Sequence, residues 1–210
     1  MREKAPTNWI AVDVVRKHVD AAAAAVGRYE AASFGEFMES QLDSDNDTDP
    51  RWRLGLESPL EAICYVWWQA MVGRTGWIGS QVNLDSQQEV EVSGVRYRLD
   101  FVLTPEVSLY SRIEAHGLRW PKIAVEVDGH GFHEKTPAQV ASRNERDRLL
   151  QQDGWLVLHY SWSEMTTRSE ECIGEIAGVA KEAIWSIQRQ IGAAERAAAN
   201  KAGAQTSQES

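Results

Sequence analysis

In the segment PKIAVEVDG, residues 121–129, apolar and polar side chains alternate: Ile123, Val125 and Val127 fall on one face of an extended chain, and Glu126 and Asp128 on the other. Successive side chains of a strand point to opposite sides of its sheet, so this spacing predicts a strand with one face in a core. The opposite face ends in two carboxylates placed to act together. A glycine and two histidines, His130 and His133, follow within GHGFH.

Upstream, QQEVEVSGVRYRLDFVL, residues 87–103, reads as a hairpin turning at Ser93 and Gly94, where glycine allows the positive φ of a tight turn. Val95, Tyr97, Leu99, Phe101 and Leu103 are expected on one face of its second strand, leaving Arg96, Arg98 and Asp100 on the other. Before it, SPLEAICYVWWQAMVG carries a helix start, with Ser58 as N-cap, Pro59 in the first turn and Glu61 three residues after the cap. Leu60, Ile63, Cys64, Trp67 and Met71 recur at helical spacing and predict one buried face. Downstream, TPAQVASRNERDRLLQQDG reads as a polar helix ending near Gly154, and WLVLHYSW as a further strand. The order from Ser58 is therefore helix, hairpin, strand, helix, strand, the pattern of an α/β domain.

The ends are helical in character. Residues 8–40 predict an N-terminal helix or helix pair, and Ile173, Ile176, Val179, Ile184 and Ile191 predict buried points of a helical region from Ser163 to about Asn200. Between the first of these and the core, QLDSDNDTDP gathers Asp43, Asp45, Asp47 and Asp49 in a loop. The expected divisions are a helical extension at 1–42, an acidic linker at 43–54, a core at 55–165, a second helical extension at 166–200 and a flexible tail at 201–210.

Nine tryptophans, 43% hydrophobic residues and 25% charged residues describe a globular chain with an aromatic-rich core, and 210 residues suit one domain. No run approaches the roughly 18 apolar residues of a membrane span, and MREKAPTNWI lacks a signal-peptide core, so a cytoplasmic location is expected. Cys64 and Cys172 stand apart with no CxxC pair, which argues for buried thiols over a disulfide or a structural zinc site. The net charge of −9 opposes nucleic-acid binding, but much of the excess sits in the linker, and acids and bases nearly balance between Glu91 and Arg168.

Asp100, Glu126 and Asp128, converging from two strands, would make an oxygen-rich site suited to Mg²⁺ or Mn²⁺. Singly, each acid reads as a solvated strand face. Together, with Glu126 in an apolar run, they need a partner or an ion to offset desolvation. Glu61 has two readings, as capping partner of Ser58 or as a carboxylate delivered to the strands. His133 could accept a proton from water, although a histidine after a turn is commonly structural. Arg143, Arg146 and Asp147 recur on one side of the polar helix, either as a solvated face or with the arginines holding phosphates beside the acids.

The series SPLE, YRLDF, AVEVDGHGFH and RNERDRLLQQDGWLVLHYSW resembles the small domains related to the very-short-patch repair endonucleases, within the PD-(D/E)XK superfamily, over about residues 58–165. The resemblance implies a restriction-endonuclease-like fold: a mixed β-sheet of about four or five strands flanked by helices, with helical extensions at both ends. It implies that Asp100 and Glu126 are metal-binding acids and that Glu61 matches the glutamate of the first core helix. His133 would match the histidine after the turn, and Arg146 with Asp147 the Arg-Asp of the following helix. Where many superfamily members carry a lysine two residues after the glutamate, this chain has Asp128, and His133 stands as the replacement.

The resulting expectation is a Mg²⁺- or Mn²⁺-dependent endonuclease hydrolysing phosphodiester bonds in DNA. Asp100, Glu126, Asp128, His133 and Glu61 would form its site, and Arg96, Arg98, Arg143 and Arg146 would contact the nucleic acid. The alternative is the same fold without catalysis, binding DNA or a protein; the missing lysine and the acidic charge favour it. A third reading makes the acidic surface a protein-binding regulator. The helical ends also offer surfaces for a homodimer.

Overall fold

The computed structural model describes residues 9–27, 31–42, 55–128 and 136–206, so the acidic linker, His130 and His133 lie outside the described residues. A turn of 3₁₀ helix at Trp9–Ala11 leads into α1 (Asp13–Val26) and α2 (Ala31–Leu42), the expected helix pair. The core follows as α3 (Pro59–Thr75), β1 (Val82–Val92), β2 (Val95–Pro105), α4 (Val107–Ala115), β3 (Lys122–Asp128), α5 (Pro137–Gln152) and β4 (Trp155–Ser161). A short α6 (Trp162–Thr167) and a long α7 (Ser169–Thr206) complete the chain.

The four strands form one mixed sheet in the order β1-β2-β3-β4, antiparallel except for the parallel β3–β4 pair. Helix α5 makes the crossover that a parallel pair requires. At the hairpin tip Ser93 and Gly94 have φ of 53° and 78°, the two positive values of a turn that matches the strand twist. Helices flank both faces of the sheet, as the sequence implied.

One face carries the main core. Phe101, Leu103, Ile123, Val125, Val127 and Tyr160 pack there against α3, and the same cluster runs on through Val15 and Val19 of α1, Met38 of α2 and Ile173, Ile176 and Ile184 of α7. The terminal helices are thus built into the core that holds the sheet. Val92, Leu99, Val102 and Ala124 form a smaller cluster with Leu150 of α5 on the other face.

Helix α3 begins as its sequence predicts, with the Ser58 hydroxyl accepting from the Glu61 amide and Pro59 in the first turn. Its burial departs from the expected single stripe: every residue from Leu60 to Trp68 is buried, whereas Met71 is only half-buried. The terminal helices cover the side of α3 that a surface helix would show to water. Helix α4 was not foreseen; Leu109 and Ile113 dock it onto Ile187 and Ile191 of α7. The C-terminal helical region is also divided, because α6 ends at Arg168 before α7 begins.

The shared face expected along β2 holds only in part. Phe101 and Leu103 lie in the main core, while Tyr97 and Leu99 belong to the cluster under α5. The alternation changes sides at Asp100, opposite Gln87, whose φ of 53° interrupts β1 between the Ser86–Phe101 and Gln88–Leu99 pairs.

Candidate functional site

The acids meet where β2 and β3 part. These strands pair at Phe101–Val125 and Val102–Ala124. One step on, the Asp100 carboxylate, in place of a backbone carbonyl, accepts the Val127 amide at 2.9 Å. Burial, followed by repulsion from Glu126, pushes Asp100 up to about 7; the Val127 hydrogen bond pulls the other way, and Glu61 adds to the rise. The site therefore holds more negative charge than its own hydration can support.

Period two puts Glu126 and Asp128 on one face, as expected, and there they meet the arginines of α5. Glu126 is 7% exposed and is held by Arg146, with Nη2 at 2.7 Å from Oε1 and Nη1 at 3.0 Å from Oε2. Burial lowers the Arg146 pKa, but its hydrogen bonds and attraction to Glu126 outweigh that and hold it above the ordinary value. Arg146 also donates to the carbonyl of Arg98 at 3.2 Å, tying α5 to β2.

Asp128 belongs to a second group. Its Oδ2 lies 2.6 Å from Nη2 of Arg143, and the same nitrogen lies 2.7 Å from Nδ1 of His159. Arginine has only protons to give, so Nδ1 accepts and the imidazole proton belongs on Nε2, which lies 3.2 Å from Asp147 Oδ2. Arg143 and Asp147 form the anticipated i,i+4 pair at a long 3.9 Å.

His159 carries no signal as an isolated residue of WLVLHYSW. The signal is the parallel register, which sets Glu126 beside His159 and so gives their side chains one face. Both line a cleft of about 610 Å³ between α5 and the sheet, together with Asp128, Arg143, Arg146 and Tyr97. A second cleft of about 710 Å³ lies between α1, α3 and the start of α7, away from these carboxylates. There Arg74 and Arg168 are already paired with Glu170 and Glu171, and the Trp67 indole donates to His18 Nδ1.

Glu61 unites its two expected readings. It accepts from the Ser58 hydroxyl at 2.7 Å and the Glu57 amide at 2.9 Å, which makes it the capping partner. It also accepts from Gln87 at 2.6 Å, and it is near enough to Asp100 to raise that group's pKa. The side chain of Gln87, carried on its unusual backbone, thus joins the helix start to the strand break. Burial raises the pKa of Glu61 itself.

The proposed nucleic-acid contacts divide similarly. Arg143 and Arg146 line the cleft, but both are engaged by carboxylates. Arg98 is paired with Glu57, and exposed Arg96 lies across the hairpin from Glu91.

For a divalent cation, Asp100 and Glu126 fit in donor chemistry: both offer oxygen, and the charge that raises Asp100 is the charge a cation would relieve. Asp128 does not join them, because Arg143 holds it in the second group. Among the described residues, no three His, Cys, Asp or Glu side chains gather around one point as an ion's ligands.

No family model matches this chain, and neither a curated protein nor a solved structure matches it. Among the described residues no helix is long and apolar enough to cross a membrane.

Proposed function

We propose that this chain is a nuclease that uses Mg²⁺ or Mn²⁺ to hydrolyse phosphodiester bonds in DNA, with Asp100 and Glu126 holding the cation. The observation that carries this reading is the buried pair itself, two carboxylates whose mutual repulsion contributes to a pKa of about 7 at Asp100. Buried acids with strongly shifted pKa values, beside a cleft, cluster at functional sites. A bound divalent ion supplies polarisation of the phosphoryl group and a lowered pKa for bound water.

The protein's own groups have separate tasks. Arg146 neutralises Glu126 in the resting chain, and Arg143 is poised on Asp128; a guanidinium in either place is suited to grip a phosphate oxygen. Glu61 positions the site by capping α3 and holding Gln87. Asp128 and His159 orient Arg143. His133 is assigned proton transfer on its place in the sequence motif.

A second reading is a binding module of the same fold without catalysis. Its specific support is that Arg146 spans both oxygens of Glu126, where it does the neutralising work of a metal ion.

Two measurements on the full chain distinguish these. Calorimetric titration with Mn²⁺ should detect a site that Asp100→Asn abolishes. Supercoiled plasmid and single-stranded circular DNA, incubated with Mg²⁺, Mn²⁺ or EDTA, should be cleaved only with metal, and not by Glu126→Gln. Absence of both Mn²⁺ binding and cleavage of either DNA form would overturn the nuclease reading.

A further inference from the structure

The cleft between α5 and the sheet has two unlike walls. Asp128, Arg143 and His159 make one, already joined to each other. Val95, Tyr97 and Leu149 make the other. Val95 is 46% exposed, and Tyr97 is half-buried, packed on the Leu99 and Val102 cluster while it lines the opening. Tyr97 and Leu149 pack on the smaller core cluster beneath α5 and also line the cleft, so the apolar wall is the edge of that cluster where it meets solvent.

The size of the cleft limits what enters. The cleft is open-sided, and its volume of about 610 Å³ falls in the roughly 300–1,000 Å³ range of ligand clefts, room for a nucleotide or two. Glu126 lies inside it at 7% exposure. The phosphates of a duplex sit on the convex outside of a stiff rod and reach only the rim of such a cleft. An unpaired strand can bend in and turn its bases onto an aromatic wall.

Charge does not select the strand: Arg143 and Arg146 are paired with Asp128 and Glu126, and Glu145 also lines the cleft, so a phosphate has to share Arg143 with Asp128 and stacking supplies most of the affinity. We propose that the substrate is single-stranded DNA, with a base stacked on Tyr97 beside Val95 and Leu149, and its phosphate facing Arg143. This inference rests on the nuclease reading and adds the strandedness that reading leaves open.

Binding without metal tests it separately from cleavage. Fluorescence anisotropy in EDTA at low salt compares a labelled oligothymidine, the corresponding oligouridine and a DNA duplex of equal length. The DNA strand should bind at least about tenfold more tightly than the duplex, and Tyr97→Ala should weaken it about tenfold while Tyr97→Phe leaves it unchanged. Val95→Asp, at the exposed first position of β2 beside the hairpin turn, should weaken it as well, with thermal unfolding checking that the variant is folded. The slope of log K against log salt should be shallow, about −0.7 to −1.4, corresponding to one or two phosphates.

Equal or tighter duplex binding, a silent Val95→Asp, no binding of any strand, or a preference for the oligouridine would each overturn the proposal. The two levels fail apart. A protein that nicks duplex plasmid but spares single strands keeps the nuclease reading and loses this one; Tyr97-dependent strand binding with neither Mn²⁺ binding nor cleavage of either DNA form loses the nuclease reading and leaves only a single-strand binding cleft.

Discussion

Both terminal nitrogens of Arg146 reach the carboxylate of Glu126, at 2.7 and 3.0 Å, across the gap between α5 and β3. The pair is bidentate and charge-assisted, with Glu126 almost enclosed and Arg146 retaining a solvent-facing edge. Its strength is a property of the couple and not of either residue.

Truncating Arg146 strands a buried anion. Arg146→Ala should cost about 3 kcal/mol, the low end of the range for breaking a buried pair, because the solvent-facing edge lets water replace part of the guanidinium. Replacing both partners, as Glu126→Leu with Arg146→Met, should be near neutral. Urea unfolding of the wild type, both single variants and the double variant measures the coupling.

The raised pKa of Asp100 fixes the sign of a pH dependence. Near pH 4 and below, native and unfolded chains both protonate this group; from there to about 7 the unfolded chain releases the proton while the native state keeps it. Its contribution to stability therefore falls as pH rises through that window and is flat above it, a loss on the order of a few kcal/mol. Asp100→Asn should remove this component, so that in EDTA the variant is more stable than wild type at pH 8 but not at pH 4. A wild-type excess at pH 8 would contradict the buried, strained state of the carboxylate.

Capping and site assembly can be separated at the start of α3. Ser58→Ala deletes the acceptor for the Glu61 amide and should cost about 1 kcal/mol, as N-cap losses do. Glu61→Ala should cost more, because the Gln87 side chain and the Glu57 amide lose their acceptor too. Thermal unfolding ranks the two; equal losses would mean that the Gln87 link contributes nothing.

Gly79 is constrained by contact. A Cβ there would lie 2.2 Å from Cγ1 of Val72 and 3.2 Å from its Cβ. Gly79→Ala should lose about 1–3 kcal/mol by overpacking, and Val72→Ala in the same chain should recover part of that loss. Chemical denaturation of the single and double variants checks the rescue.

Features written in local chemistry were legible before any coordinates. Ser58, Pro59 and Glu61 mark a helix start through groups within one turn, and the alternation at 123–128 marks β3 together with the side its acids take. Features that depend on distant partners were not. Leu109 and Ile113 give α4 too short a stripe to stand out until Ile187 and Ile191 meet it. The burial of α3 on all sides depends on α1 and α7 arriving from the chain ends. Of the candidate site, Asp100 and Glu126 are brought together as expected, whereas Asp128 is drawn to Arg143 and His159. Arginines on a polar helix face carry no mark of which anion they will meet, and His159 acquires its neighbours only through parallel pairing with β3.

The parting of β2 from β3 leaves one backbone proton in unusual custody. The Val127 amide is held by an Asp100 side-chain oxygen and not by a carbonyl of β2, so its hydrogen bond changes whenever that carboxylate gains a proton or an ion. Its nitrogen and proton resonances become a built-in reporter, one peak in a ¹⁵N spectrum that registers events at the acidic pair without an attached probe, a substrate or a substitution.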